Sequence, residues 1–435
     1  MKRFIFRVLS GPEWARASHA RFSLPRLVTA VTLGLCLAGP RLDAAPEHPP
    51  MGKNPELNFG VLLQQALQHS PEFLEIAARD DEARLYLESG RSWIAGRPSL
   101  AISYLDDQPR TAMGMTELEY GVQVPLWRPG ERRDARAMGE RFGAQAAAWK
   151  LHLELTVVGR LRGSLADLEA ADRLLAIERQ ATAEARTLLS TVEKMHAAGE
   201  VAQADVMQAR ALLLHQQRQE LSAETALVDA EWNYSSLTGL AARPAVAHEE
   251  RRSERTEIAA GHPWLRFLET GVAVADGAIK QTRLEAAGSP SVMVGSRRQR
   301  GSSTETYNDS LVFSVNVPFG ASAHVRSRVG TVARQKADAE VQLLAARKEL
   351  MRQLHEAEHE LGQIEESLVL GGEQVTLDQR QWEMAKSAFE VGEMNLFQVL
   401  TALRQARASA REFESLKLRK QRLITEFNQV IGVLP

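Results

Sequence analysis

The chain has 435 residues, enough for a large buried core, and a net charge of −2, which lends a nucleic-acid role no support. A quarter of the residues are charged and only 6% are aromatic, while Ala, Leu, Glu, Gln and Arg crowd long segments, which favours helix. The single cysteine, Cys36, leaves no disulfide framework and no thiolate metal site.

Residues 1–45 read as an export signal. Arg16, Arg21 and Arg26 supply the positive side, Leu27–Gly39 the apolar stretch, and Ala44 and Ala45 the small residues of a cleavage site. Cys36 falls inside this segment, and lipidation there would want a small residue where Leu35 stands. No later segment reaches the roughly 18 apolar residues of a transmembrane helix, so the exported chain is periplasmic, secreted or a β-barrel.

A short helix is expected over Leu57–Gln68. Pro71 opens a second, to about Ala95, because proline is tolerated in the first helical turn. Ser99–Tyr104 is strand-like, followed by a polar loop and by Glu117–Leu126, which alternates cleanly. Leu118, Tyr120, Val122, Val124 and Leu126 share one face, and Glu117, Glu119, Gly121 and Gln123 the other. After Pro129 and Gly130, Glu131–Ala198 runs 68 residues without proline, a rod of about 100 Å. Gly199 ends it, and a shorter helix returns over Val201–Leu237.

The chain then repeats itself. Pro71, Pro98, Pro125, Gly199 and Gly239 are answered by Pro263, Pro290, Pro318, Gly392 and Gly432, at offsets of 192 or 193. Such a period is too long for a solenoid; one large unit has been duplicated. The first repeat is 57–240, with a β-hairpin at 99–126. A linker follows at 241–262, where Arg243-Pro244 and the charged run Glu249–Arg255 look solvated. The second repeat is 263–434, with a hairpin at 291–319. Its strands are Ser291–Arg297 and Leu311–Phe319, the latter placing Leu311, Phe313, Val315, Val317 and Phe319 on one face. Its rod, His324–Val391, also has 68 residues, and Met394–Val430 returns. A heptad seam runs through Leu350, Leu354, Ala357, Leu361, Ile364 and Leu368. It is matched in the first rod by Val157, Leu161, Ser164, Leu168, Ala171 and Leu175.

About ten residues of apolar-out, polar-in alternation is the pattern of an outer-membrane strand. Four strands do not close a barrel, and an open edge is not tolerated in lipid. Several copies must therefore pool their strands, and three would give twelve.

On these residues the chain resembles the TolC-like outer-membrane efflux proteins. The resemblance rests on the Leu57…Ala66-Leu67…Ser70-Pro71 opening and on Val124-Pro125…Gly130-Glu131-Arg132-Arg133. It rests also on the tip pattern, Ala198-Gly199…Asp205-Val206…Ala209 and Phe389…Gly392…Val399-Leu400…Ala402. It covers about Leu57–Leu434. It implies a mostly α fold with transmembrane β: a homotrimer whose long helical hairpins form a periplasmic tunnel, capped by a 12-stranded barrel in the outer membrane. It implies a passive exit duct without cofactor or catalysis. The implied partners are a periplasmic adaptor (membrane fusion protein) and an inner-membrane transporter of the resistance-nodulation-division type. In general look the chain is closest to the metal-cation subgroup; an outer-membrane component of type I protein secretion shares the architecture. The rival from another class is a soluble periplasmic coiled-coil scaffold.

In the family the glycine turns, here Gly199 and Gly392, lie at the periplasmic entrance. An acidic residue six positions on often narrows the aperture; it is Asp205 here, but Gln398 in the second repeat. A family-type aromatic stands as Phe389, and His196 takes its place in the first repeat. Three Asp205 carboxylates would make an acidic ring favouring cations, while a negative charge there also suits a helix start.

Two further motifs are weighed. His355-Glu356-Ala357-Glu358-His359 fits the H-E-x-x-H zinc-protease pattern. It lies on a rod whose seam passes through Leu354, Ala357 and Leu361, and no third ligand or cleft accompanies it, so it reads as a solvated helix face. Trp93 and Trp127 flank the strands, and Trp127 is the better candidate for an interfacial girdle.

Overall fold

The computed structural model describes residues 51–434 apart from 109, 111, 246–249, 320 and 321. The export segment, Cys36 and Glu249 lie outside the described residues. The helices are α1 (Phe59–His69), α2 (Leu74–Arg91), α3 (Glu131–Ala197), α4 (Gln203–Thr238), α5 (Pro263–Ala286), α6 (Ser322–Glu390) and α7 (Leu396–Val430). The strands are β1 (Gly52–Asn54), β2 (Ser99–Asp106), β3 (Thr116–Pro125), β4 (Ala242–Pro244), β5 (Ser291–Arg300) and β6 (Asn308–Asn316).

Local chemistry sets the boundaries. The Asn58 side chain accepts from the Val61 amide at 3.0 Å and starts α1 there. Pro71 opens a single 3-10 turn that leads into α2. The expected continuation to Ala95 fails at Ser92. Its hydroxyl accepts from the Ile94 amide at 3.3 Å and its carbonyl from the Trp127 indole at 3.0 Å, so the backbone leaves the helix at Arg91. The expected strand Leu311–Phe319 begins three residues earlier, because Asn308–Ser310 pair with Arg297–Gln299, and it stops at Asn316, ahead of Pro318.

The two rods, α3 with 67 residues and α6 with 69, organise the rest and reach about 100 Å. Near the strands the helices pack in the row α2-α3-α5-α6; beyond the middle the row becomes α4-α3-α7-α6. Two short helices thus share the length of each long one. Most heptad positions form the seams within each hairpin, while Val157 packs near Ala66 of α1 and Leu350 near Leu265 of α5. Leu161, Leu168, Ala171 and Leu175 of α3 pack with Ala223, Leu227, Ala230 and Tyr234 of α4. Ala357, Leu361 and Ile364 of α6 pack with Leu423, Ile424 and Phe427 of α7. Ser164 is only partly buried.

The repeats diverge where the first one carries polar groups. Fully buried Tyr234 and Phe427 are equivalent, but the Tyr234 hydroxyl donates to the Ala242 carbonyl at 3.2 Å. Glu231, equivalent to Ile424, accepts from the Met51 amide at 3.1 Å and lies 3.4 Å from Arg243. These contacts hold β4 parallel to β1 in a two-stranded sheet, which the second repeat has no residues to copy. One device is copied. Gly239 and Gly432 end α4 and α7 with positive φ, and each lies against an imidazole, His69 or His262. Burial pushes the His262 imidazole down to about 4.

The linker is solvated only in part. Residues 251, 252 and 254–257 are exposed. Glu250 is not: both its oxygens meet the Arg162 guanidinium at 2.7 and 2.8 Å, with side-chain exposures of 8% and 3%. Arg162 also donates to Gln429 and to the Val433 carbonyl, and Asn428 donates to Glu250. One bidentate pair therefore ties the linker, α3 and the end of α7 together. Removing the cation alone strands a buried carboxylate. We expect Arg162→Ala to cost about 3–5 kcal/mol, read as a lower thermal midpoint of the detergent-solubilised protein. Adding Glu250→Gln should recover part of the loss.

Candidate membrane sheet and channel entrance

β2, β3, β5 and β6 form one antiparallel sheet in that order, and the β3–β5 pair joins the two repeats. Paired residues in a sheet point to the same side. The register therefore turns the alternation of single strands into rows. Val124–Val292–Val315, Leu100–Val122–Val294–Phe313 and Ile102–Tyr120–Ser296–Leu311 make an apolar band. It ends at the row Tyr104–Leu118–Arg298–Asp309, whose charged members lie 3.7 Å apart. The other face carries Ser103–Glu119–Arg297–Ser310 and Ser99–Gln123–Met293–Ser314. There Arg297 forks onto Glu117 at 3.0 Å and Glu119 at 2.8 Å. Gly121 faces Gly295 on this side, where a Cβ on either would strike the partner backbone, so β3 and β5 run unusually close.

Among the described residues no helix packs on either face of this sheet. Leu311 is 90% exposed and Phe313 69%. Val317 is also exposed, but it lies past the end of β6. Among the described residues the outer edges of β2 and β6 have no strand partner. No helix among the described residues is long and apolar enough to cross a membrane.

Basic residues brace the sheet's junction with the helices. Arg128 donates to the carbonyls of Ala287 at 2.6 Å, Gly288 at 2.5 Å and Pro318 at 3.3 Å, linking the elbows of both repeats. Arg132 and Arg136 cap the end of α2 through the Arg91 and Gly90 carbonyls at 2.7 and 3.0 Å. The two tryptophans differ in exposure. Trp127 is half-buried and bonded to Ser92, whereas Trp93 is 91% exposed beside the strands.

At the far end, Gly199 and Gly392 close their rods at φ +79° and +76°. The Glu200 amide donates to the Met195 carbonyl at 2.9 Å and the Glu393 amide to that of Ala388 at 2.8 Å, the closing bond of a Schellman turn. Phe389 is buried among Leu188, Val192, Leu396, Val399 and Leu400, in a tip core shared by both hairpins. His196 instead lies 2.9 Å from the Val201 carbonyl through Nδ1. Asp205 accepts from the Ala202 amide at 3.0 Å. Gln398 and Asn395 cap each other's amides at the start of α7, at 3.0 and 3.4 Å. The structure thus gathers Gly199, Asp205, Phe389, Gly392 and Gln398 at one end of the rods, with each polar member engaged at its own helix start.

Beyond the tip core the contact between the hairpins includes ion pairs. Asp167–Arg422 at 2.7 Å, Glu178–Arg411 at 3.2 Å and Glu184–Arg407 bridge α3 to α7. A cleft of about 720 Å³ beside them is lined by Gln180, Glu184, Trp382, Lys386 and Arg407. His355 and His359 stand exposed on α6 with ring centroids 6.5 Å apart, while Ala357 between them is buried.

Residues 62–240 match the model of a family described as outer membrane efflux protein, a span that includes β2, β3 and the whole first rod. The first repeat is thus similar to the outer membrane efflux protein family. No curated protein sequence matches it. Among solved structures, VceC from Vibrio cholerae superposes with a TM-score of 0.70 at 15% identity, covering 86% of this chain and 95% of that one. CusC gives 0.69 at 14%, covering 86% and 91%. CmeC from Campylobacter jejuni gives 0.68 at 15%, covering 86% and 85%. At such identities the likeness is one of fold. In this chain the tip glycines have open space around them, so it is their dihedral angles that demand glycine. Gly199→Val and Gly392→Val should each cost about 1–2 kcal/mol and speed proteolytic nicking at the tip. Gly330→Ala, in open space on α6, should instead gain up to about 1 kcal/mol, read from the same melting curves.

Proposed function

We propose that the chain is the passive exit duct of a tripartite efflux system, seated in the outer membrane as a homotrimer. One observation carries this reading: a four-stranded sheet, uncovered on both faces, is apolar on one and polar on the other. Two solvents satisfy it, lipid outside and water inside. A soluble scaffold would leave the band from Val124 to Leu311 in water. The unpaired edges of β2 and β6 call for strands from other copies, and three protomers supply twelve. The rods would then surround a periplasmic tunnel continuous with the barrel.

The duct does no chemistry on its substrate. Energy and choice of substrate belong to an inner-membrane transporter of the resistance-nodulation-division type, linked by a periplasmic adaptor. Gly199 and Gly392 mark the periplasmic aperture, and opening it parts the two hairpins. The polar part of the seam between α3 and α7 favours that reading, because the solvent-exposed pair Asp167–Arg422 exchanges for water at little cost. Phe389 anchors the closed tip. Three copies of Asp205 lend the aperture negative charge, and Gln398 adds none.

A trimer recovered from outer-membrane fractions in mild detergent supports the duct; a soluble monomer refutes it. Phe313→Arg puts a charge in the lipid-facing band at about 2–4 kcal/mol and should deplete the protein from the outer membrane, while Ser314→Arg on the opposite face should leave its amount unchanged. Asp205→Asn keeps an acceptor for the Ala202 amide and removes the charge. It should lower cation preference in planar bilayers, seen as a smaller reversal potential in a salt gradient; an unaltered potential removes Asp205 from the aperture.

A further inference from the structure

The apolar band on the sheet ends differently at its two margins. At the helix end Arg128, Arg132 and Arg136 place their guanidiniums on backbone carbonyls. At the loop end two further arginines follow the band on its own side. The row after Ile102–Tyr120–Ser296–Leu311 brings in Arg298, and the next, Asp106–Thr116–Arg300, brings in Arg300. Arg297 between them in register belongs to the polar face, where Glu117 and Glu119 hold it.

Tyr307, in the turn that leads into β6, gathers this pair. Its ring centroid lies 4.8 Å from the Arg298 guanidinium and 4.9 Å from that of Arg300. The Thr116 hydroxyl donates to its hydroxyl at 3.4 Å, which keeps the ring on the band side. An aromatic ring attracts a guanidinium through its quadrupole but offers the N–H groups no lone pair. Arg300 is half-buried, and its Nε is buried without a hydrogen-bond partner among the described residues. The nearby acids are engaged elsewhere. Asp106 accepts from the Tyr104 hydroxyl and the Gln108 amide, Asp107 from the Met113 and Gly114 amides, and Glu305 from the Gly301 amide. Asp309 stands 3.7 Å from Arg298, with both side chains more than half exposed. Such a pair is held weakly and exchanges readily for another anion.

We infer that Arg298, Arg300 and Tyr307 form a binding site for the phosphorylated sugar headgroup of an outer-leaflet glycolipid. The inference rests on the outer-membrane seat proposed above and adds a lipid ligand to it. In that seat the loop end points away from the periplasm, and the rows just past the band stand at headgroup level. Arginine stems lie along apolar surface while their heads reach the polar layer, and tyrosine suits the same level. A guanidinium takes a phosphate through paired, charge-assisted hydrogen bonds. The helix end offers no such pair. There the guanidiniums are bound to carbonyls and the exposed group beside the strands is Trp93. The two margins of one band thus suit two chemically different leaflets.

The test is native mass spectrometry of the full chain, purified from outer membranes and exchanged into fresh detergent to remove lipid. Diphosphorylated lipid A is the probe. Arg298→Gln with Arg300→Gln should bind it about thirtyfold more weakly than the wild type. Arg297→Gln, on the opposite face, should bind it as the wild type does. Lipid A stripped of its phosphates should bind the wild type no better than the intact lipid binds the double variant. If the double variant fails to assemble, Arg298→Gln alone carries the test, with a loss of about fivefold. Equal binding by the wild type and the variant that removes the band-side charge overturns the site. So does an equal loss in Arg297→Gln, which marks net charge rather than one face. Inorganic phosphate, added as a competitor, should leave the lipid in place; displacement assigns the pair to free phosphate and overturns the lipid ligand. The same spectra count subunits. A trimer with unaltered lipid binding overturns the site alone, whereas a monomer overturns the duct and the site with it.

Discussion

A four-stranded sheet with bare faces and open edges is stable neither in water nor in lipid, and the rest of the structure answers that instability. Every backbone N–H and C=O within a bilayer needs a partner, so in the proposed duct the edges of β2 and β6 would call for strands of other copies. The long helices follow from where the sheet sits. A duct that passes substrate inward of its membrane needs a wall that stands without lipid. Helices satisfy their own backbone and need only side-chain seams to stay together, so in the proposed duct α3 and α6 would carry the wall and β2, β3, β5 and β6 the membrane segment.

The duplicated halves are alike in shape and unequal in chemistry. The seams of the two rods recur largely position by position, with Ser164 standing for Ala357, because knobs and holes leave little freedom in a packed coiled coil. The His–Gly contact at the end of α4 recurs at the end of α7, since a left-handed cap needs glycine in both. Departures cluster in the first repeat. Tyr234 and Glu231 stand where Phe427 and Ile424 fill the core, and they fix β4 to β1. Arg162 stands where the second rod has exposed His355, and it seizes Glu250. These polar groups sit where the linker crosses the rods. A duplicated unit needs a connection only once, so only one copy carries the residues that hold it.

Strand alternation, rod lengths and turn glycines were legible because they are short-range. Leu118, Tyr120, Val122, Leu311, Phe313 and Val315 share faces by period two alone, and the structure keeps those faces. Rod ends fell within about two residues of expectation, because proline and glycine stop helices through local backbone sterics. The same locality misplaced the end of α2. Ser92 is drawn off the helix partly by Trp127, thirty-five residues away, and nothing near Ser92 announces it. At the tip the positions were legible from the repeat, and so was the helix-start place of Asp205, but not that Phe389 is core, since that depends on which side of the turn faces the neighbouring hairpin.

By itself the sequence determined the duplication, the two rods, the strand segments and the apolar side of each alternating strand, because each is written in the periodicity of a single segment. Only the tertiary structure decided that β3 pairs with β5, that Arg162 clasps Glu250, and that α4 and α6 end the row. Those choices join residues from about 90 to more than 170 positions apart. Pairing at such separation is selected by the packing of whole elements against one another, and no local pattern encodes it.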